Sequence, residues 1–255
     1  MTLLVVVAHP DNEAFGCGSV LLHAAGRTRT VVVCASRGEA GDLAPGAEEP
    51  TAGLAAMREA ELRRAGEILG TDVIEFLDIP DSGMSDEPRV GSICAIEFDA
   101  LKTAVAAAIE RHEPSVIVTL DGSDGHRDHL RIRDAVLAVA PPEVPVYLHC
   151  PPKSLMRQWL IHRTGEASAE VYAALPDIGT PDEDVTTLID TSVHLPARLQ
   201  AIAEHRSQTS PFDNLPDDLM RGFLATEHLR RANPAWTGGP VESDLLGLPS
   251  VSVAV

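Results

Sequence analysis

The chain has 255 residues, 44% of them hydrophobic but only 4% aromatic, and 38 acidic against 20 basic side chains give a formal net charge of -18. That length suits one large α/β domain with a core of Ala, Val, Leu and Ile. The acidity argues against nucleic acid or an anionic membrane as partner, since both require a basic face. Four widely spaced cysteines (Cys17, Cys34, Cys94 and Cys150) form no CxxC pair and read as reduced thiols. The N-terminal apolar run lacks a basic flank and is too short for a signal peptide or membrane span, so a cytoplasmic protein is expected.

In chain order, strands are expected near 3–8, 29–35, 72–77, 115–120 and 144–149. Helical stretches alternate with them near 16–25, 53–69, 93–112, 128–139 and 152–162. Such alternation predicts a Rossmann-like α/β fold, a mostly parallel sheet with helices on both faces. In the helix at 53–69, Leu54, Met57, Leu62, Ala65 and Leu69 share one side, and Arg58, Glu61 and Arg64 face elsewhere. Gly70 is its expected stop.

Beyond Gly165 the pattern changes. A proline-rich acidic stretch leads to a short strand near 186–190 and helices near 196–208 and 216–229. Residues 1–165 are therefore read as the core, 166–230 as a smaller C-terminal α/β extension and 231–255 as a tail, all within one domain. The apolar end of that tail, 245–255, offers a surface for a homo-oligomer.

Two polar clusters follow buried strands. Ala8-His9-Pro10-Asp11-Asn12-Glu13 comes after Leu3 to Val7, and His126-Arg127-Asp128-His129 comes shortly after Val116 to Leu120. Ligands in open α/β sheets bind at the carboxyl ends of strands. Loops 36–51, 78–92 and 121–125 leave the same edge and are candidate pocket walls. The ligand types in the clusters are His, Asp and Asn, without cysteine, which suits an open hydrolytic metal site rather than a closed structural one. Any one histidine after a strand is as readily explained by a backbone hydrogen bond; two such clusters, each with an aspartate, bring the metal reading level with that one. Gly16-Cys17-Gly18 lacks the third glycine of a dinucleotide fingerprint and reads instead as small residues that let the backbone approach the sheet.

These residues resemble the PIG-L-type (LmbE-like) N-acetylglucosaminyl deacetylases. The likeness extends through Ser36-Arg37-Gly38-Glu39-Ala40-Gly41, Arg58-Glu59-Ala60-Glu61-Leu62, Pro80-Asp81-Ser82-Gly83-Met84 and His205-Arg206-Ser207-Gln208, in the family's order over most of residues 3 to 210. The resemblance implies zinc held by His9, the residue at 12 and His129. It implies Asp11 as general base, His126 as donor to the carbonyl oxygen, and Asp128 holding that imidazole in its charged form. The implied substrate is a small-molecule N-acetylglucosamine-type conjugate that loses an acyl group by hydrolysis. Arg58 is a candidate substrate contact, against a surface salt bridge. His205 either leans over the pocket or closes its helix.

The chain departs from the family at Asn12, where the family usually places an aspartate. Three readings stay open: Asn12 ligates zinc through its oxygen, the site holds zinc loosely or takes another divalent ion, or the chain is a catalytically weakened or non-catalytic sugar-conjugate binder. Arg127 stands where the family usually has proline, and its side chain need not face the metal.

Overall fold

Six consecutive buried residues, Thr2–Val7, form β1, and a strand apolar on both faces belongs in the middle of a covered parallel sheet. The computed structural model describes residues 1–48, 51–164 and 177–248. On either side of β1 lie β2 (Arg29–Cys34) and β4 (Val116–Leu120), both parallel to it. With β3 (Val73–Phe76), β5 (Val146–His149), β6 (Thr187–Asp190) and β7 (Thr226–Asn233) they make a seven-stranded sheet in the order β3-β2-β1-β4-β5-β7-β6. β7 runs antiparallel to both its neighbours, so the sheet is mixed at that edge.

Alternate residues of β1 feed two cores. Leu3, Val5 and Val7 pack with α2 (Gly18–Ala24), α3 (Leu54–Leu69) and α7 (Leu195–Glu204). Leu4 and Val6 pack on the opposite face with α4 (Phe98–His112) and α5 (Arg127–Val139). Helices on both faces match the expected Rossmann-like architecture. The order reverses between β1 and β4, which opens a crevice at their carboxyl ends. Both polar clusters sit there.

Several boundaries differ from the sequence expectation. The helix expected at 16–25 is α2, and a separate short helix not expected from the sequence, α1 (Asn12–Phe15), precedes it. Gly16 separates them, because a Cβ there would lie 2.7 Å from Leu120 Cδ2 and 2.9 Å from the Asn12 carbonyl. On α3, Arg58 and Glu61 are buried rather than outward-facing, because both are drawn to the loops above the sheet. The helix expected over 216–229 ends at Leu224 as α8 (Asp217–Leu224), and 226–233 is β7. Its sequence, Thr-Glu-His-Leu-Arg-Arg-Ala-Asn, has little β character, and pairing on both edges imposes the strand. Part of the expected tail is packed, since Glu242 bonds to the β6 backbone and accepts from Tyr147 and Thr187. Residues 166–176 of the expected extension, with residue 165 before them, and 249–255 of the expected oligomer surface lie outside the described residues. Helix α6 (Lys153–Thr164) follows β5, and no helix of the described residues is long and apolar enough to cross a membrane.

Fully buried Arg198 on α7 locks the end of α1. It donates to the carbonyls of Ala14 (3.3 Å), Phe15 (2.8 Å) and Gly16 (2.9 Å), and lies 3.6 Å from the buried Glu227 carboxylate. These carbonyls have no partner within so short a helix, so the guanidinium substitutes for the missing turn. Replacement of Arg198 by Ala leaves three carbonyls unpaired and takes the cation away from the buried Glu227 carboxylate, which keeps only His149. A loss of about 3–5 kcal/mol is expected in urea unfolding, against less than about 1 kcal/mol for Arg64→Ala, whose partner Glu204 is on the surface.

Candidate active site

The turn after β1 is strained and self-tied. Asp11 has a φ of 115°, a region that non-glycine residues rarely occupy. Its N–H donates to Glu13 Oε2 at 2.9 Å, and the other Glu13 oxygen meets His205 Nε2 at 2.5 Å. Glu13 is fully buried and His205 almost so. Asn12 closes the turn from the other side: its Oδ1 accepts the His9 N–H at 3.0 Å and its Nδ2 donates to Asp11 Oδ1 at 2.8 Å. Asp11 is thereby presented in one orientation.

The second cluster starts α5. His126 is its N-cap residue, and its Nδ1 accepts the Asp128 N–H at 3.2 Å. One turn on, His129 stacks on His126 with ring centroids 4.5 Å apart, and His9 approaches His126 at 4.8 Å. Each of His9, His126 and His129 offers a nitrogen within 4.8 Å of the others. The two expected ligand imidazoles are both pinned by carboxylates. His9 Nε2 is 3.0 Å from Asp128 Oδ2 and 3.5 Å from Asp81 Oδ1, and His129 Nδ1 is 2.7 Å from Asp124 Oδ2.

This arrangement fits a divalent metal. The buried His129 Nε2 has no hydrogen-bond partner while its other nitrogen is held, the signature of an imidazole oriented toward a ligand. Nitrogen and oxygen donors without thiolate suit zinc in an open site. Cys94 touches Asp128 through Sγ at 3.0 Å, but burial pushes its pKa to about 11, so it remains a thiol. His9, Asp81 and Asp128 form a second group of clustered donors around the same imidazole.

The electrostatics follow from burial and pairing. Burial raises the Asp11 carboxyl to about 6, although His205 and His9 pull it down. Burial alone would lower His9, yet its hydrogen bonds to Asp128 and Asp81 outweigh this and bring it to about 9. Those same contacts overcome the desolvation of Asp81, at about 2, and hold Asp128 well below the usual carboxylate range. His126 drops to about 4 through burial and its histidine neighbours, so the ring is neutral.

The candidates from sequence therefore fall as follows. His9, Asp11, Asn12, Arg58, His126 and His129 line one cavity of about 510 Å3. The Asp128 carboxylate holds His9 rather than His126, which it supports through its backbone N–H instead; the neutral state of His126 also differs from the charged form the resemblance implies. Arg58 forms no surface salt bridge among the described residues; it donates to the carbonyls of Gly38 and Asp42 and braces that wall of the cavity. Arg127 points away from the histidines and donates to the Ser82 and Gly83 carbonyls. His205 sits beneath the Asp11 turn rather than over the pocket. Asp81 belongs to the 80–84 stretch of the family resemblance and Asp124 to a loop, neither with a role legible in the sequence; the fold brings both to the imidazoles.

The family model described as PIG-L, GlcNAc-PI de-N-acetylase, matches residues 4–140. A relative from Geodermatophilus obscurus, 1D-myo-inositol 2-acetamido-2-deoxy-alpha-D-glucopyranoside deacetylase, is 31% identical over 97% of this chain and 98% of its own. Among solved structures, the N,N'-diacetylchitobiose deacetylase of Pyrococcus horikoshii superposes with a TM-score of 0.59 at 17% identity, covering 91% of this chain and 84% of the other. The 4-carboxy-2-hydroxymuconate hydratase of Pseudomonas putida does so with 0.58 at 21% identity, covering 93% and 98%. The shared fold thus accompanies more than one chemistry, and only the site can argue for a reaction.

Stability of chelator-stripped protein should fall with rising pH on account of His9. Its folded pKa of about 9 lies above the free value of 6.5. The stabilisation is therefore complete below pH 6.5 and lost as pH rises through 9, by on the order of 3 kcal/mol. Denaturant midpoints measured from pH 6 to 9.5 check this, and a flat profile would contradict it.

Proposed function

The chain belongs to the PIG-L (GlcNAc-PI de-N-acetylase) family, and on that premise we propose that it hydrolyses an N-acetyl or other N-acyl amide on an amino-sugar conjugate, in a metal-dependent reaction with zinc as the fitting ion. The observation that carries the proposal is the meeting of three imidazoles, one with an orphaned buried nitrogen, and a carboxyl of raised pKa in one cavity. Its relatives named as deacetylases act on an N-acetylglucosamine-type small molecule, which supports the substrate class.

His9, Asn12 and His129 would hold the metal, which when bound supplies Lewis acidity toward the amide carbonyl and lowers the pKa of a water. Asn12 would contribute a neutral amide oxygen in place of a carboxylate. Asp11 takes the proton of the attacking water, and a base with a pKa near 6 is largely ionised at neutral pH yet still accepts that proton. His126 accepts at Nδ1, so its ring proton resides on Nε2 and can be donated to the oxygen on which charge develops. The proton on Asp11 then passes to the departing amine, which leaves as the C–N bond breaks, and the acyl group ends as a carboxylate.

Acetate release from N-acetylglucosaminyl conjugates, with and without chelator, tests this directly. Activity that survives complete metal removal would rule the mechanism out. Asp11→Asn should lower kcat by about 10²–10⁴-fold, and the acid limb of the wild-type profile should lie at or below pH 6. The substitution Asn12→Asp decides whether the asparagine belongs to the site. A gain of several orders of magnitude in rate would identify a weakened relative that retained sugar-conjugate binding. An unchanged or lower rate would identify Asn12 as part of the working centre.

A further inference from the structure

Another imidazole faces the same cavity, outside both sequence clusters. His149 ends β5, and its Nδ1 lies 2.7 Å from Glu227 Oε1 on β7. Glu227 is fully buried, and behind it Arg198 Nη1 stands 3.6 Å from the second carboxylate oxygen. The three residues come from β5, β7 and α7, so the chain of contacts is a rigid support rather than a local turn. Glu227 accepts at Nδ1, which fixes the ring proton there and turns Nε2 to the cavity as the acceptor side of the ring. That nitrogen makes no hydrogen bond to the described residues, while the side chain is 15% exposed and lines the cavity. The ring packs near Gly16, with His149 Cδ2 3.6 Å from the position a Cβ there would occupy. It therefore stands over the end of the short helix that begins at Asn12.

The surroundings restrict what this nitrogen could meet. His228, on the neighbouring strand and also in the lining, is held neutral by burial at about 4. Arg58 is the one Lys or Arg among the cavity-lining residues, and its guanidinium is engaged by the Gly38 and Asp42 carbonyls. On this side of the cavity, away from His9, a phosphate or carboxylate would find no unengaged Lys or Arg among the described lining residues. An uncharged hydroxyl donor suits the Nε2 of His149 beside the neutral His228 ring.

The geometry points to His149 as a substrate-binding residue that accepts a hydrogen bond from a hydroxyl of the sugar, with Glu227 and Arg198 as the positioning residues that aim it. This rests on the deacetylase reading above. Because the contact is made equally before and during reaction, it contributes to KM rather than kcat.

Two variants separate this role from a structural one. In His149→Asn the side-chain amide can still donate to Glu227 but loses the nitrogen that faces the cavity. In His149→Gln the longer amide restores an acceptor near the Nε2 position. With an alkyl N-acetylglucosaminide as substrate, His149→Asn should raise KM about 10-fold, with kcat within about threefold and metal content unchanged. His149→Gln should recover most of that loss. In the 3-, 4- and 6-deoxy series, one substrate should show the raised KM with wild type and no further rise with His149→Asn. Unchanged KM in His149→Asn, equal losses in both variants, or additive losses with every deoxy sugar would each overturn the assignment. If wild-type protein hydrolyses none of these amides, the deacetylase reading itself fails; a working enzyme with an indifferent His149 sinks only the subsite.

Discussion

The carboxylate of Asp128 is the point on which the site depends. Sealed from solvent, it takes His9 Nε2 on one oxygen together with the Ser82 N–H, and the Cys94 thiol on the other. Those contacts join the turn after β1, the loop after β3 and the start of α5. A buried carboxylate must find donors or lose its charge, and here the donors are supplied by three separate segments. Asp128 thus converts a desolvation cost into the mutual orientation of the two histidine clusters.

A comparable device operates on the opposite side of the turn. Asp11 is held at an unfavourable φ, in the range where strain of about 1–3 kcal/mol is usual. Glu13 accepts its N–H and is itself clamped by His205, at a depth where neither group can relax toward water. Further along, Glu61 accepts both the N–H and the hydroxyl of Ser207, which fastens the segment after His205 to α3. The candidate base is therefore rigid because the C-terminal part of the chain is docked beneath it. Core and C-terminal part act as one unit at this point.

Asn12 changes the charge of the centre more than its shape. The amide is close in size to a carboxylate, and both its polar atoms are used within the turn. Relative to the aspartate of the resembling family, the turn carries one negative charge fewer. Asp81, Asp124 and Asp128 remain one layer out, each against a histidine of the group, so negative potential around the centre survives the substitution.

The sequence by itself determined the parallel core and the place of chemistry. Apolar runs such as Leu3 to Val7 admit only a buried strand, and polar clusters directly after two such runs sit at the carboxyl edge whatever the packing details. It also indicated the pocket walls, because loops after parallel strands emerge on that edge. It did not reveal β7, whose Glu, Leu and Arg residues favour a helix locally and become a strand only through pairing with β5 and β6. Nor did it show that Arg58 and Glu61 turn inward, since a buried charge is recognised by its partner, and those partners are 16 to 146 residues away. The same holds for which carboxylate holds which imidazole. Asp128 lies two residues from His126 yet bonds its side chain to His9, 119 residues distant. Backbone periodicity is local and can be read along the chain; the direction of a buried side chain is decided by whatever the fold brings within 3 Å of it.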